Sequence, residues 1–249
     1  MIWVAWRKQR TQLLTLCAFA IFGAAMITWM RAGMLHELHE LADRGCPVEG
    51  RTPPGCIRDV EDFVEWSQAK MGLGQTLVIA VPALFGMFIG APLFARDLEQ
   101  GTFILMITQS VSRARWLAIS FLVALGPTLA VTLVLQALVG WWVDAAGDWG
   151  PHGRGALDPV NFAGSGLAPA SYTLFAVTAG LFAGCLIRRT TVGMLATLGG
   201  FVALRVVLAG MRTGRPADAA TVHLIEGAIF LGLTVPLFLG TVLVMRRQS

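Results

Sequence analysis

Charged residues are scarce in this sequence, and lysine is nearly absent. Asp, Glu, Lys and Arg make up 14% of the 249 residues, and the only lysines are Lys8 and Lys70. Soluble domains contain about 25% charged residues, so a soluble globular protein is excluded. A phosphate-binding P-loop needs a lysine within G-x-x-x-x-G-K-[ST], and neither lysine lies in that context. The chain is therefore not expected to hydrolyse ATP unaided, and its 55% hydrophobic content with a mean hydropathy of +0.67 indicates an integral membrane protein.

Catalytic and metal-binding sets are lacking as well. No Ser/His/Asp set, catalytic cysteine or carboxylate pair has a convincing placement, because Asp97 and Glu99 are two residues apart and face different sides of a helix. The zinc-protease pattern H-E-x-x-H fails at His36, since Glu40 stands where the second histidine is required. We therefore expect no metal site and interpret this stretch as a solvated helix face.

The four cysteines fall into two kinds. Cys17 and Cys185 lie inside apolar runs and are interpreted as packing residues. Cys46 and Cys56 lie in a polar, proline-containing loop. A disulfide could join this second pair if the loop faces an oxidising compartment.

Six apolar runs are each long enough to cross a bilayer, which takes about 20 residues. They predict an all-α integral membrane protein with one transmembrane domain over residues 1–249. The predicted spans cover about residues 13–30, 75–95, 116–143, 167–187, 190–210 and 224–245. Pro82 should kink the second span, because a proline removes a helix hydrogen bond.

Two polar stretches flank the first span. Residues 1–12 combine tryptophan with Arg and Lys, which predicts a short interfacial helix ahead of an uncleaved anchor. The outer segment, residues 31–74, has apolar residues at helical spacing around residues 34–41 and 60–71. It predicts two short helices on the membrane surface, joined by the loop that contains Cys46 and Cys56.

The basic residues predict the topology. With both termini cytoplasmic, the inside segments hold ten basic and two acidic residues, whereas the rest of the chain holds nine basic and thirteen acidic residues. An excess of Lys and Arg on the cytoplasmic side is the rule for membrane proteins. The polar segment between spans two and three is then cytoplasmic.

Small and ionisable residues inside the spans suggest specific packing. Gly86 and Gly90 form one G-x-x-x-G pair and Gly180 and Gly184 another, and such pairs let helix backbones approach closely. Arg205 and Glu226 are the ionisable residues nearest to membrane-embedded positions. They could pair with each other, and charges reaching the headgroups are favoured over a role in a substrate path.

The segment between spans two and three carries the most specific pattern. Glu99-Gln100-Gly101-Thr102, then Thr108, then Val111-Ser112-Arg113 resembles the cytoplasmic loop of ABC-2 type transporter permeases. That loop reads acidic-x-Gly-Thr, a short apolar stretch and Thr-Pro-x-Ser-Arg. The chain departs from it at Gln109-Ser110, where the family has proline, and at Ile119-Ser120, which replace a common Gly-Lys.

The resemblance implies the membrane subunit of an ATP-binding cassette exporter in the bacterial cell membrane. It implies a second copy or a related permease and two ATPase subunits, which would bind the ATP and Mg²⁺. The implied cargo is drug-, peptide- or lipid-like. In the family this loop forms a coupling helix in a cleft of the ATPase. Carried over by position, the ATPase-coupling residues are Arg96, Asp97, Glu99, Gly101, Thr102, Ser112 and Arg113.

The physical chemistry of three of these residues agrees with that role. Gly101 permits a sharp turn, Ser112 can cap the third span, and Arg113 offers two donors to a partner carboxylate. A different class of function stays open, in which the chain is a membrane binding or sensing module. Such a module would recognise a ligand or a partner through the outer segment 31–74.

Overall fold

Helices make up almost all of the protein in the computed structural model, which describes residues 2–46, 53–101, 113–147, 159–212 and 219–247. The helices are α1 (Ile2–Asp43), α2 (Ile57–Phe85), α3 (Pro92–Glu99), α4 (Arg113–Asp144), α5 (Pro159–Gly164), α6 (Ala168–Ile187), α7 (Thr190–Arg212) and α8 (Ala219–Arg247). A 3₁₀ turn (Pro54–Cys56) precedes α2, and a π-helical turn (Gly86–Gly90) joins α2 to α3.

The six predicted spans are confirmed by length and composition. Six helical stretches are long and apolar enough to cross a membrane: Gln9–Asp43, Pro54–Glu99, Arg115–Asp144, Ala168–Ile187, Thr190–Met211 and Ala220–Arg247. Spans one to six are thus α1, α2 with α3, α4, α6, α7 and α8. The described part of the chain contains no strand, as an all-α fold requires.

The stretches that flank the first span differ from the prediction. No break separates the interfacial residues or residues 34–41 from the first span, because α1 is continuous from Ile2 to Asp43. Residues 60–71 likewise belong to α2 and run straight into the second span. The physical reason is mutual packing: Leu38 of α1 and Phe63 of α2 are buried in one apolar cluster, so the outer segment is an extension of spans one and two rather than a pair of surface helices.

The end of α1 is fixed by a glycine turn and a disulfide. Gly45 has a φ of +82°, and the N–H groups of Gly45 and Cys46 donate to Ala42 and Leu41 at 2.9 and 3.0 Å. This is the Schellman pattern, which pairs the last carbonyl groups of a helix. A disulfide then joins Cys46 to Cys56 just before α2, with a Cα–Cα distance of 5.6 Å.

The two G-x-x-x-G pairs pack against each other, which confirms the predicted close helix approach. A Cβ atom on Gly86 or Gly90 would lie 2.5 Å from a backbone oxygen of α6. On the opposite side, a Cβ atom on Gly180 or Gly184 would overlap the backbone of span two. The π-helical turn occurs at this contact, four residues beyond Pro82, whereas α2 itself continues through Pro82 to Phe85, and the predicted kink stays a prediction.

Helix α6 lies at the centre of the bundle and contacts α2, α3, α4, α7 and α8. Polar bonds between the helices supplement apolar packing, as in the 3.0 Å contact of Thr132 with Thr173. At one end of the bundle, Glu99 contacts Thr190, and we call this the Glu99 end. The opposite end carries the Cys46–Cys56 bond, and we call it the disulfide end.

Candidate functional site

The charged residues of α3 do not all face outwards. Arg96 and Glu99 are exposed at the Glu99 end, whereas Asp97 is only 6% exposed and Leu98 packs against the apolar core. The sequence predicted a polar cytoplasmic segment here, and the burial of Asp97 was not expected. Asp97 differs because α3 continues the packed second span, and one face of the helix remains inside the bundle.

Gly101 ends this helix in the way its sequence position suggested. Its φ is +68°, a left-handed conformation that glycine adopts at little cost. The N–H groups of Gln100 and Gly101 donate to Arg96 and Leu98 at 3.0 and 3.4 Å. No other atom of the described residues lies within 4 Å of the position that a Cβ atom would take. Glycine is therefore favoured here by the backbone conformation and not by a lack of room for a side chain.

Three other residues of the predicted coupling set are not tested. Thr102 and Ser112 lie outside the described residues. Arg113 is the first residue of α4, and its side chain also lies outside the described part. The capping role of Ser112 and the partner contact of Arg113 therefore stay predictions.

Glu99 makes a contact that sequence reasoning missed. Its carboxylate accepts two hydrogen bonds from Thr190, one from the hydroxyl at 2.7 Å and one from the backbone N–H at 3.1 Å. Thr190 is the first residue of α7, and the first N–H groups of a helix have no partner within the helix. The two positions are 91 apart in the sequence, so no local signal indicated this pairing.

The electrostatics of the contact favour an ionised carboxylate. Glu99 is exposed and lies beyond the apolar run that ends at Ala95. The side-chain bond from Thr190, the backbone bond from Thr190 and the charge of Arg189 each lower the pKa of Glu99. A carboxylate at a helix N-terminus is also stabilised by the helix dipole.

The link from α6 to α7 is a tight turn of two residues. Arg188 has a φ of +59° and donates its backbone N–H to Gly184 at 3.1 Å. A left-handed conformation is costly for a residue with a Cβ atom, so the surrounding structure must impose it. Close packing is the evident cause, because a Cβ atom on Gly193 of α7 would lie 3.2 Å from the Cα of Gly184.

A second cluster of polar residues lies inside the bundle. Arg205 of α7 forms a 3.1 Å ion pair with Glu226 of α8. Tyr172 of α6, the single tyrosine of the chain, donates to Glu226 at 2.5 Å and contacts the guanidinium group. The two charged side chains are 16% and 5% exposed. The structure thus contains the predicted pairing of Arg205 with Glu226, and both side chains are enclosed by the bundle.

Aromatic rings enclose this ion pair. The ring of Tyr172 lies 4.6 Å from that of Phe230, and Phe175 lies 5.1 Å from Phe230. Tyr172, Arg205 and Glu226 each lie within eight residues of a helix terminus, or roughly 12 Å along the axis, on the side of the disulfide end. A tyrosine inside an apolar span was the available signal, because a buried hydroxyl needs a partner.

A half-open cavity of about 310 Å³ lies at the disulfide end between α1 and α2. Its lining residues are Glu37, Glu40, Leu41, Arg44, Asp59, Asp62, Phe63 and Trp66. Within it, Glu40 pairs with both His36 and Arg44 at 3.2 Å. The described residues contain no group of three or more His, Cys, Asp or Glu side chains that could hold a metal ion.

The two free cysteines have different surroundings. Cys185 is buried and its Sγ contacts the Sδ of Met245 at 3.9 Å, as a packing residue should. Cys17 is exposed on α1, so the packing interpretation does not hold for it within this chain.

Six helices that are long and apolar enough to cross a membrane define a multi-pass membrane protein. Residues 16–212 match the ABC-2 membrane transporter related family. Since the match covers most of the chain, the protein belongs to that family. Membership makes it an ABC-2 type permease and implies association with ATP-binding cassette subunits. Neither the curated proteins nor the solved structures yielded a match.

Proposed function

We propose that this chain is the membrane subunit of an exporter driven by ATP hydrolysis in a separate subunit. The observation that carries the proposal is the bend at the Glu99 end. There the packed second span finishes in exposed Arg96 and Glu99 and turns at Gly101, whose φ is +68°. The following residues, 102–112, match the coupling motif and would enter the cleft of the ATPase.

The packing of the second span supports a lever mechanism. Span two and α6 are in backbone contact at Gly86 and Gly90, so a push on α3 moves α6 with it. Closure of two ATPase subunits on ATP and Mg²⁺ would displace the bends of two permeases. The passage between the permeases, a second copy or a related chain, would then open alternately to each side.

The orientation follows from charge and redox chemistry. Four arginines, Arg188, Arg189, Arg246 and Arg247, lie near the Glu99 end, which favours a cytoplasmic position for that end and for both termini. The disulfide at the opposite end fits an oxidising exterior. A drug-, peptide- or lipid-like cargo leaving a bacterial cell is the range that the family suggests.

Co-purification tests the partner. The tagged chain, expressed with the ATPase subunits of its host, should bring down an ATP-binding cassette protein. Arg96→Glu should reduce the amount bound, because it reverses an exposed charge on α3. Arg58→Glu makes the same change at the disulfide end, where Arg58 is also exposed, and should leave binding unchanged. Failure to recover any ATPase would refute the proposal.

Labelling tests the orientation. In a Cys17→Ser background, Gly101→Cys should resist a membrane-impermeant thiol reagent added to intact cells and react after the membrane is opened. Reaction in intact cells would place the bend outside, where a cytoplasmic ATPase cannot reach it.

A second candidate function, recognition of a ligand by the outer segment, is favoured by the cavity between α1 and α2. Four carboxylates, Arg44 and the Trp66 ring line it, and the Lys70 ammonium group lies 3.6 Å from the centre of that ring, so the ring already accepts a cation. Trp66→Ala should then abolish the response to the ligand without loss of the ATPase. If Trp66→Ala and the parent protein export equally well, recognition at this cavity is not part of the function.

A further inference from the structure

The contact of Glu99 with Thr190 joins two helices that are not consecutive in the chain. Glu99 is the last residue of α3, and Thr190 is the first residue of α7. Two hydrogen bonds, at 2.7 and 3.1 Å, hold the carboxylate against the start of α7. Because the carboxylate is exposed, water competes for both bonds and the contact can open and close.

The helix that carries Glu99 is fixed to the centre of the bundle. Gly86 and Gly90 leave no room for a side chain against α6, and Gly184 of α6 likewise faces the backbone just before α3. Helices packed at backbone distance cannot slide without breaking many contacts at once. Span two and α6 therefore form one unit, and Glu99 moves with it.

Helix α7 packs on this unit along one face. Two residues connect it to α6, and its first turn touches α6 at Gly193. Further along, Phe201 is buried with Tyr172 of α6 in one apolar cluster, whereas Val206 is exposed. Apolar contacts with α6 therefore hold the middle of α7, and the polar contact with Glu99 fixes its first residue against α3.

We infer that Glu99 is a positioning residue that holds the start of α7 against α3 and passes movement of the bend to α7. The inference rests on the proposed function, since it assumes that an ATPase displaces residues 102–112. Movement of α7 carries Arg205, whose partner Glu226 belongs to α8. Through Thr190 the bend thus acts on α7 directly, in addition to the packing of α6 against α7 and α8.

Hydrogen exchange of the purified chain tests the contact itself. Glu99→Ala removes both bonds, so the first amides of α7, residues 190–193, should exchange several-fold faster. Thr190→Val removes the hydroxyl bond alone and should give a smaller increase. Thr190→Ser keeps both hydrogen-bond donors, so its exchange rates should equal those of the parent protein. Gln100→Ala and Thr191→Val change exposed neighbours of the contact and should also leave the exchange rates unchanged. An unchanged rate in Glu99→Ala would overturn the inference.

Exchange in the complex tests transmission. In the complex with its ATPase, ATP with vanadate should alter exchange in α7 of the parent protein. Glu99→Ala should abolish this response in the complexes that form, and Thr190→Ser should retain it. Adding Thr190→Val to Glu99→Ala should cause no further loss, because both changes remove the same contact. A response that persists in Glu99→Ala would refute transmission through this residue.

The outcomes also separate two roles of Glu99. Loss of the ATPase from Glu99→Ala, with full binding by Thr190→Val, would make Glu99 a partner contact and overturn the positioning role. If no ATPase binds even the parent protein, the proposed function fails and transmission fails with it. The exchange measured on the chain alone would still report whether the Glu99–Thr190 contact exists.

Discussion

The buried ion pair between α7 and α8 leads to a prediction about how its two charges depend on each other. Arg205→Met leaves Glu226 in the bundle with Tyr172, and Glu226→Leu leaves the guanidinium group without its carboxylate. Replacing both residues removes the charges together and keeps apolar side chains of similar length in their place. The two single variants should be much less stable than the double variant.

The expected magnitudes follow from burial. Removing one partner of a buried pair costs about 3–5 kcal/mol, because an uncompensated charge is left in a poor solvent. Arg205 and Glu226 are 16% and 5% exposed, so the pair lies near the buried limit. Replacing both partners by apolar residues is often neutral or stabilising by about 1–4 kcal/mol. Tyr172→Phe removes a hydrogen bond to a charged group and should cost about 1.5–3 kcal/mol.

Thermal unfolding in one detergent measures this order, with the fraction that stays monodisperse as the readout. We expect Arg205→Met and Glu226→Leu to be the least stable, and Tyr172→Phe to be intermediate. The double variant should be about as stable as the parent protein. Glu40→Gln serves as the control, since it breaks an exposed pair worth about 0–1 kcal/mol. A double variant whose loss equals the sum of the single losses would refute the reasoning, as would single variants as stable as the parent.

Three further predictions concern backbone geometry and the disulfide, and the same unfolding assay checks them. Gly86→Ala should destabilise by about 1–3 kcal/mol, because its Cβ would lie 2.5 Å from a backbone oxygen, whereas Gly199→Ala has open space and should not destabilise. Replacing Cys46 and Cys56 by serine should cost about 2–4 kcal/mol, and a reductant should then have no further effect. Gly101→Ala should cost about 1–2 kcal/mol because of its positive φ. Equal stability of the Gly86 and Gly199 variants, or no loss in the serine or Gly101 variants, would contradict the respective prediction.

The spans and their close contact were predictable from the sequence. Length and hydropathy identify a membrane helix, because a single segment in lipid can pair its backbone N–H and C=O groups only by forming a helix. The two G-x-x-x-G pairs predicted close packing, and the structure sets Gly86 and Gly90 against the helix that carries Gly180 and Gly184. The prediction of two separate surface helices in residues 31–74 was wrong, because the polarity of this segment was taken as a sign that it lies on the membrane surface. Tertiary packing of Leu38 and Phe63 instead extends both spans.

The candidate site was predictable in part. The conformation of Gly101 agrees with the turn predicted from the motif, and the position of the bend follows from the limits of the apolar runs. The burial of Asp97 and the contact of Glu99 with Thr190 could not be read from the sequence. Both depend on the direction in which a helix faces its neighbours, and one sequence contains no record of contacts between residues 91 positions apart.

The distribution of burial divides the bundle into a buried centre and an exposed periphery. In the most apolar window of each span, 67% of span two and 61% of α6 are buried, against 22% of α1 and α7 and 17% of α8. The peripheral helices must therefore meet lipid or a second permease over much of their surface. Within the chain, α7 is held by the apolar packing of Phe201 and by two polar contacts, Glu99 with Thr190 at one end and Arg205 with Glu226 towards the other. Of these contacts, the one at Glu99 lies beside the bend, so a displacement of the bend acts first on the start of α7.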